Sequence, residues 1–291
     1  MSIGKGYDIN FLGEDYIINP PRLVGKTLEE SLNDGEIFNF TNFSLVMNKK
    51  RRFLIYGANN VDKNLLKDIK RDNDDWHFDL RIGKENQVGN ELYRNNPWDR
   101  GHMVRRRDVC WGTWDEAKAG NNDSFCWANI VLQHCEINTK IWNDIEEWML
   151  NYNDNMLNKL SVFTGPIFTM SDRPYCGENQ NLSCGIQIPA GFWKVLFYVD
   201  LKKKLRSVAF VIKQDDFWYD NRGRGFKPLE TYQVPLNSIS EMTGIEFENR
   251  LYRANPLLYF ESNLTKRENI QTPEAHPISS MDDLILDREL T

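Results

Sequence analysis

Short aromatic or β-branched runs at Glu36–Phe40, Phe43–Met47 and Arg52–Tyr56, separated by polar breaks, predict a meander of strands. Leu160–Thr164, Phe192–Val199 and Ser207–Ile212 are more uniformly apolar and predict buried strands in the second half. Between the two sets, Ile141, Trp142, Ile145, Trp148 and Met149 recur at offsets 0, 1, 4, 7 and 8, the stripe of an amphipathic helix starting just after Asn138. Thr113–Ala119 predicts a short helix stopped by Gly120-Asn121, and Cys126–Leu132 a buried strand. Ser238–Glu241 reads as a capping box opening a helix that Gly244 closes. Residues 58–100 are polar and mostly loop.

This pattern is that of one α+β domain over residues 36–266, with a central antiparallel β-sheet flanked by helices. Residues 1–35 are rich in turn formers and predict an arm wrapped round the domain. From Arg267 the chain carries Glu274, Asp282, Asp283, Asp287 and Glu289 against Arg288, which predicts an acidic, flexible tail over 267–291.

A chain of 291 residues that is 41% hydrophobic can bury a substantial core. Its net charge of −6 argues against coating nucleic acid by bulk attraction, but a locally basic groove is compatible with it. Arg100, Arg105, Arg106 and Arg107 form one basic cluster and Lys49–Arg52 another. No apolar run is long enough to span a bilayer, and Met1–Asn10 lacks a signal-peptide pattern, so the expectation is a cytoplasmic protein without membrane contact. Five cysteines without CxxC spacing suit reduced thiols, with a single Cys176–Cys184 disulfide left open.

The chemistry concentrates around Asp99-Arg100-Gly101-His102, with Asn129, Gln133, Asn138 and Glu146 downstream. A neutral imidazole can take a proton from water near neutral pH, and a planar guanidinium can grip a phosphate through two bonds. Magnesium prefers oxygen ligands and retains several waters, so the carboxamide of Asn138 with phosphate oxygens would satisfy it. Glu146 lies eight residues along from Asn138, about 80° round a helix, and could orient water beside the ion; the plainer alternative is a surface glutamate. His134-Cys135 lacks a second pair to complete a zinc tetrahedron, and His77 reads as a half-buried structural histidine. The set points to metal-dependent phosphodiester hydrolysis.

The segment Asn96–Met103 resembles the DRGH motif of the DNA/RNA non-specific endonucleases. The likeness continues in order through Asp123–Phe125, Asn129-Ile130, Gln133, Asn138, Trp142 and Glu146, then Thr164–Phe168, Ile188–Val195 and Thr243–Phe247. Leu132 stands where the family commonly has a proline. The resemblance implies a ββα-metal active site with His102 as general base and Asn138 as the direct protein ligand of Mg²⁺ (or Mn²⁺). It further implies that Glu146 orients water, Asn129 shapes the site, Arg100 serves as the motif arginine and Arg71 stabilises the transition state. The implied activity is cleavage of DNA and RNA with little sequence preference, leaving 5′-phosphates, in a homodimer. A regulatory protein partner is a further expectation for such an enzyme inside a cell. Two alternatives are a nucleic-acid-binding scaffold on an inactive nuclease fold and a phosphodiesterase for small nucleotides.

Overall fold

Residues 191–199 are buried along their whole length and form the centre of the fold. Their side chains alternate between two cores, with Phe192, Leu196 and Tyr198 on one face and Trp193, Val195 and Phe197 on the other. A strand covered on both faces reads as a continuous apolar run, which is why this segment shows no period-2 polarity. The structure is a computed structural model and describes residues 4–71, 75–96, 98–138, 141–151, 158–177, 184–214, 226–257 and 275–286.

Strands β1 (Ile37–Asn39), β2 (Phe43–Asn48) and β3 (Phe53–Asp62) form the first part of the main sheet. Strands β4 (Trp98–His102) and β5 (Ile130–His134) pair only with each other, and the chain between them carries helix α1 (Trp114–Ser124). Helices α2 (Cys135–Asn138) and α3 (Ile141–Asn151) follow β5 directly. The main sheet resumes with β6 (Lys159–Ile167), β7 (Gly191–Val199), β8 (Leu205–Lys213), β9 (Thr231–Val234) and β10 (His276–Ile278). Its order is β10-β9-β8-β7-β6-β3-β2-β1, antiparallel throughout. Val104, Trp127, Trp142, Ile145 and Trp148 pack on one face. Ile18, Ile239 and Leu251 cover the other. The fold is α+β, with a two-strand-and-helix unit laid on one face of the large sheet.

Several boundaries differ from the sequence reading, each for a local reason. β3 continues through the polar stretch to Asp62 because Asn60 is satisfied inside the sheet, bonded to the backbone of Asp8 and to Ser161 Oγ. Helix α1 runs straight through Gly120: a Cβ there would lie 2.3 Å from the Val109 carbonyl oxygen, so this glycine serves close packing and stops nothing. Thr113 and Glu116 cap that helix reciprocally. Residues 127–129 form a 3₁₀ turn, and the strand begins only at Ile130. Helix α4 (Leu236–Thr243) starts after Pro235, so Ser238 lies inside it as a buried residue and the predicted capping box is absent; Gly244 does close it, at φ +67°.

The C-terminal segment also departs from the expected tail. β10 pairs with β9 at the sheet edge, Ile278 is buried, and the Gln233 side chain bonds both the N–H and the carbonyl of Ile285. Residues 275–286 are therefore part of the domain, beyond the expected boundary at 266; residues 267–274 and 287–291 lie outside the described residues. In the N-terminal arm, Arg22-Leu23 pairs with Ile245-Glu246. Cys176 and Cys184 form a disulfide, while Cys110 and Cys126 are buried thiols and Cys135 is an exposed one.

Candidate active site

His102 ends β4, where its backbone pairs with Ile130. The imidazole packs against two aromatic rings, Trp76 and Phe125, each 5.5 Å away between centroids. Trp76 is itself stacked on Trp127 at 5.0 Å, and Trp127 on Tyr93 at 5.9 Å. This aromatic ladder lies under both motif side chains. The Arg100 guanidinium sits 5.6 Å from the Trp76 ring and 5.9 Å from the Tyr93 ring, and donates to Asn90 Oδ1 at 2.5 Å.

Gly101 and Asn129 set the backbone on either side of the imidazole. A Cβ on Gly101 would lie 2.5 Å from both Cβ and Oε1 of Gln133 on the facing strand, so only glycine admits that side chain. Asn129 is fully buried. Its Oδ1 accepts from Val104 N at 2.8 Å, and its Nδ2 donates to the carbonyls of Val104 and Ser124 at 2.9 and 3.0 Å. It braces the chain leaving His102 and presents no free polar atom to the cavity.

That cavity measures about 350 Å³ and opens over His102, Gln133, Trp142, Asn143 and Glu146. Five arginines also line it: Arg71, Arg100, Arg105, Arg106 and Arg107. Arg71 is solvent-exposed and reaches over the Phe125 ring at 5.7 Å. Arg106 is held from behind by Ile69 O and Asn121 Oδ1, both at 2.9 Å.

The floor is a buried ionic cluster. Glu146 accepts from Lys194 Nζ at 2.7 Å and pairs with Arg105 Nε at 3.1 Å. Lys194, only 1% exposed, enters from the middle of β7, and its ammonium lies 5.4 Å from the Trp142 ring. Asp108 is buried nearby; desolvation pushes its carboxyl up to about 6, although Arg105 and Lys194 act in the opposite direction. Burial disfavours charge on Arg105 too, yet Asp108, Glu146 and Glu147 together hold its guanidinium above the ordinary value.

The structure thus brings His102, Arg100, Arg71 and Glu146 to one cavity, with Asn129 behind them as a brace. Asn138 is the last residue of α2, and its side chain lies outside the described residues. Lys194 and Asp108 were not assigned from sequence. The one available signal for Lys194 was its standing as the single charged residue in the run Gly191–Val199. His77 and His134 sit elsewhere, His77 bonded to the Asp75 carbonyl at 2.9 Å and His134 edge-on to Trp98.

The family model for DNA/RNA non-specific endonuclease matches residues 24–254, spanning the main sheet as far as β9, the ββα unit and every residue of the cavity. The chain belongs to the DNA/RNA non-specific endonuclease family. Protein y4fB of Sinorhizobium fredii is 33% identical over 237 residues, covering 76% of this chain and 34% of that protein. The mitochondrial endonuclease G of Bos taurus is 26% identical over 195 residues, covering 65% of this chain and 61% of that one. The mitochondrial nuclease EXOG of Mus musculus is 23% identical over 232 residues, covering 75% and 58%. The chain therefore spans less than two thirds of the length of each of these relatives. A chain in the crystal structure of the EndoG/EndoGI complex shares the fold, with a TM-score of 0.56 at 18% identity, covering 80% of this chain and 94% of that one.

The donor set bears on what ion the cavity could hold. Among the described residues no group of three or more His, Cys, Asp or Glu side chains converges as a metal cage. Glu146 is already engaged by two cations. A hard cation that keeps its waters and takes few protein oxygens fits such a cavity.

Proposed function

We propose that this chain is a metal-dependent endonuclease that hydrolyses phosphodiester bonds in DNA and RNA without strong sequence preference and leaves 5′-phosphates. The observation that carries this reading is a single imidazole, His102, opening into a cavity lined by five arginines. Five guanidinium groups suit the multiple negative charges of a sugar-phosphate chain, and the imidazole suits removal of a proton from water.

In this reading His102 accepts the proton of the attacking water. Arg100 and Arg71 neutralise the charge that builds on the non-bridging oxygens. Asn138 would be the protein ligand for Mg²⁺, or for Mn²⁺ in its place, and the ion would supply positive charge to the phosphate undergoing cleavage. Glu146, fixed by Lys194 and Arg105, orients water from the cavity floor. Asn129 and Gly101 hold the imidazole in register.

A homodimer, a cytoplasmic location and a regulatory protein partner belong to the same proposal. The last is supported by the likeness to a chain from the EndoG/EndoGI complex, in which EndoG is inhibited.

The test is a metal-titrated cleavage assay on plasmid DNA and on single-stranded RNA. Wild-type protein is expected to cut both with Mg²⁺ or Mn²⁺, to stop on chelation, and to lose nearly all turnover in His102→Ala with unchanged thermal unfolding. A folded wild-type protein that cuts neither substrate across the metal series overturns the reading.

A further inference from the structure

Arg105 and Arg107 direct their guanidinium groups to one carboxylate, Glu147 on α3. Arg105 Nη2 pairs with Glu147 Oε1, and Arg107 Nη1 reaches Oε1 and Oε2 at 3.0 and 3.1 Å. Arg105 Nε meanwhile holds Glu146, so one guanidinium joins the acid on the cavity floor to the acid at its rim. Exposure grades outward along this chain of contacts, from 15% for Arg105 through 35% for Glu147 to 50% for Arg107. Burial pulls the Glu147 carboxyl up, but its bonds to Arg105 and the charges of Arg105 and Arg107 outweigh this and hold it below the usual carboxylate range.

A carboxylate gripped by two guanidinium groups uses the same donors that the non-bridging oxygens of a phosphodiester would use. The cavity lining carries five arginines against the single carboxylate of Glu146, so its field favours a further anion. Glu147 supplies that anion from within the chain. Being partly exposed, its ion pairs contribute little stability, and its carboxylate regains water when displaced.

We propose that Arg105 and Arg107 form a second phosphate subsite, beside the phosphodiester under attack, and that Glu147 is a placeholder anion which a backbone phosphate of the substrate displaces. The proposal rests on the nucleic-acid reading and narrows it to a polymeric substrate. A mononucleotide fills the cavity and leaves Glu147 in place, whereas a longer strand occupies both positions.

The test uses the full chain in a His102→Ala background, with fluorescent oligonucleotides titrated across a salt series in chelator. Glu147→Gln is expected to tighten binding several-fold at 0.1 M salt and to steepen the log K against log salt slope by about 0.7 to 0.9, one further phosphate contact. Arg107→Ala should weaken binding and erase the gain from Glu147→Gln in the double variant, while affinity for a 5′-mononucleotide stays unchanged by either. Asp144→Asn, an exposed charge removal on the same helix, is the control for bulk electrostatics. Equal gains from Asp144→Asn and Glu147→Gln overturn the subsite. So does an unchanged affinity and slope in Glu147→Gln and Arg107→Ala when wild-type protein cuts plasmid, an outcome that leaves the nuclease reading standing. A folded protein that neither binds nor cuts overturns both.

Discussion

Lys194 and Glu146 form an ion pair of 2.7 Å beneath the cavity, the lysine rising from the sheet and the glutamate descending from the helix above it. The two residues lie 48 positions apart in the chain, and this contact ties the ββα unit to the strand at the centre of the main sheet. Removing one member of this largely buried pair leaves the other charged and without its nearest counter-ion, a loss of about 3 to 5 kcal/mol. Glu146→Gln is therefore expected to lower unfolding stability by several kcal/mol, measured by urea denaturation. Glu147→Gln, at the exposed end of the same cluster, should change it by less than about 1 kcal/mol. The double variant Lys194→Met with Glu146→Leu should cost less than the sum of its singles, because neither member of the pair is then left without the other, while Arg105 keeps Glu147 and Asp108.

Asn129 spends its amide on three backbone groups around the segment that leaves His102. Asn129→Ala is expected to cost about 2 to 3 kcal/mol, the penalty of buried groups left unpaired. Asn129→Asp should be no better, since a second carboxylate oxygen would face the carbonyls of Val104 and Ser124. Chemical denaturation gives the stability, and cleavage at a temperature where the variant is fully folded gives the effect on positioning.

Gly101→Ala should fail through contact across the strand pair, because its new methyl would meet Gln133 at 2.5 Å. A loss of about 1 to 3 kcal/mol fits such overpacking. Combining it with Gln133→Gly removes the obstructing Cβ and should recover part of the melting temperature. Equal melting of the single and double variants would show that the strain lies elsewhere.

Asp108 makes stability depend on pH in the direction opposite to most carboxylates. Its buried carboxyl is raised to about 6, above its unfolded value near 3.9, so the native state retains a proton that the unfolded chain gives up. That contribution is fully present below about pH 4 and is lost as pH rises toward 6. Asp108→Asn mimics the protonated form, so its stability relative to wild type should climb between pH 4 and 6, by up to about 3 kcal/mol, and then level off. Thermal melts of both proteins across this window check it; a flat difference overturns it.

The strands whose faces are both buried were legible because long apolar runs have few other uses: Phe192–Val199 and Ser207–Ile212 lie within β7 and β8. The amphipathic stripe from Trp142 to Met149 likewise lies within α3, with Trp142, Ile145, Trp148 and Met149 all buried. Ends were less legible, since they depend on neighbours distant in sequence. β3 runs on to Asp62 through pairing with β6, and Gly120 stays helical through its approach to Val109. The 275–286 segment looked like a tail because only three residues of it form a strand, and their partner is the edge of a sheet assembled elsewhere.

Residue chemistry written in one contiguous motif, Asp99-Arg100-Gly101-His102, together with the order of its companions, was determined by the sequence alone: an arginine and an imidazole separated by one glycine share a strand wherever that strand packs. Only the tertiary structure decided the electrostatics around it. Lys194, Asp108, Glu146 and Glu147 acquire their roles from desolvation and from charges contributed by separate elements, and both depend on distances in space that no spacing along the chain encodes.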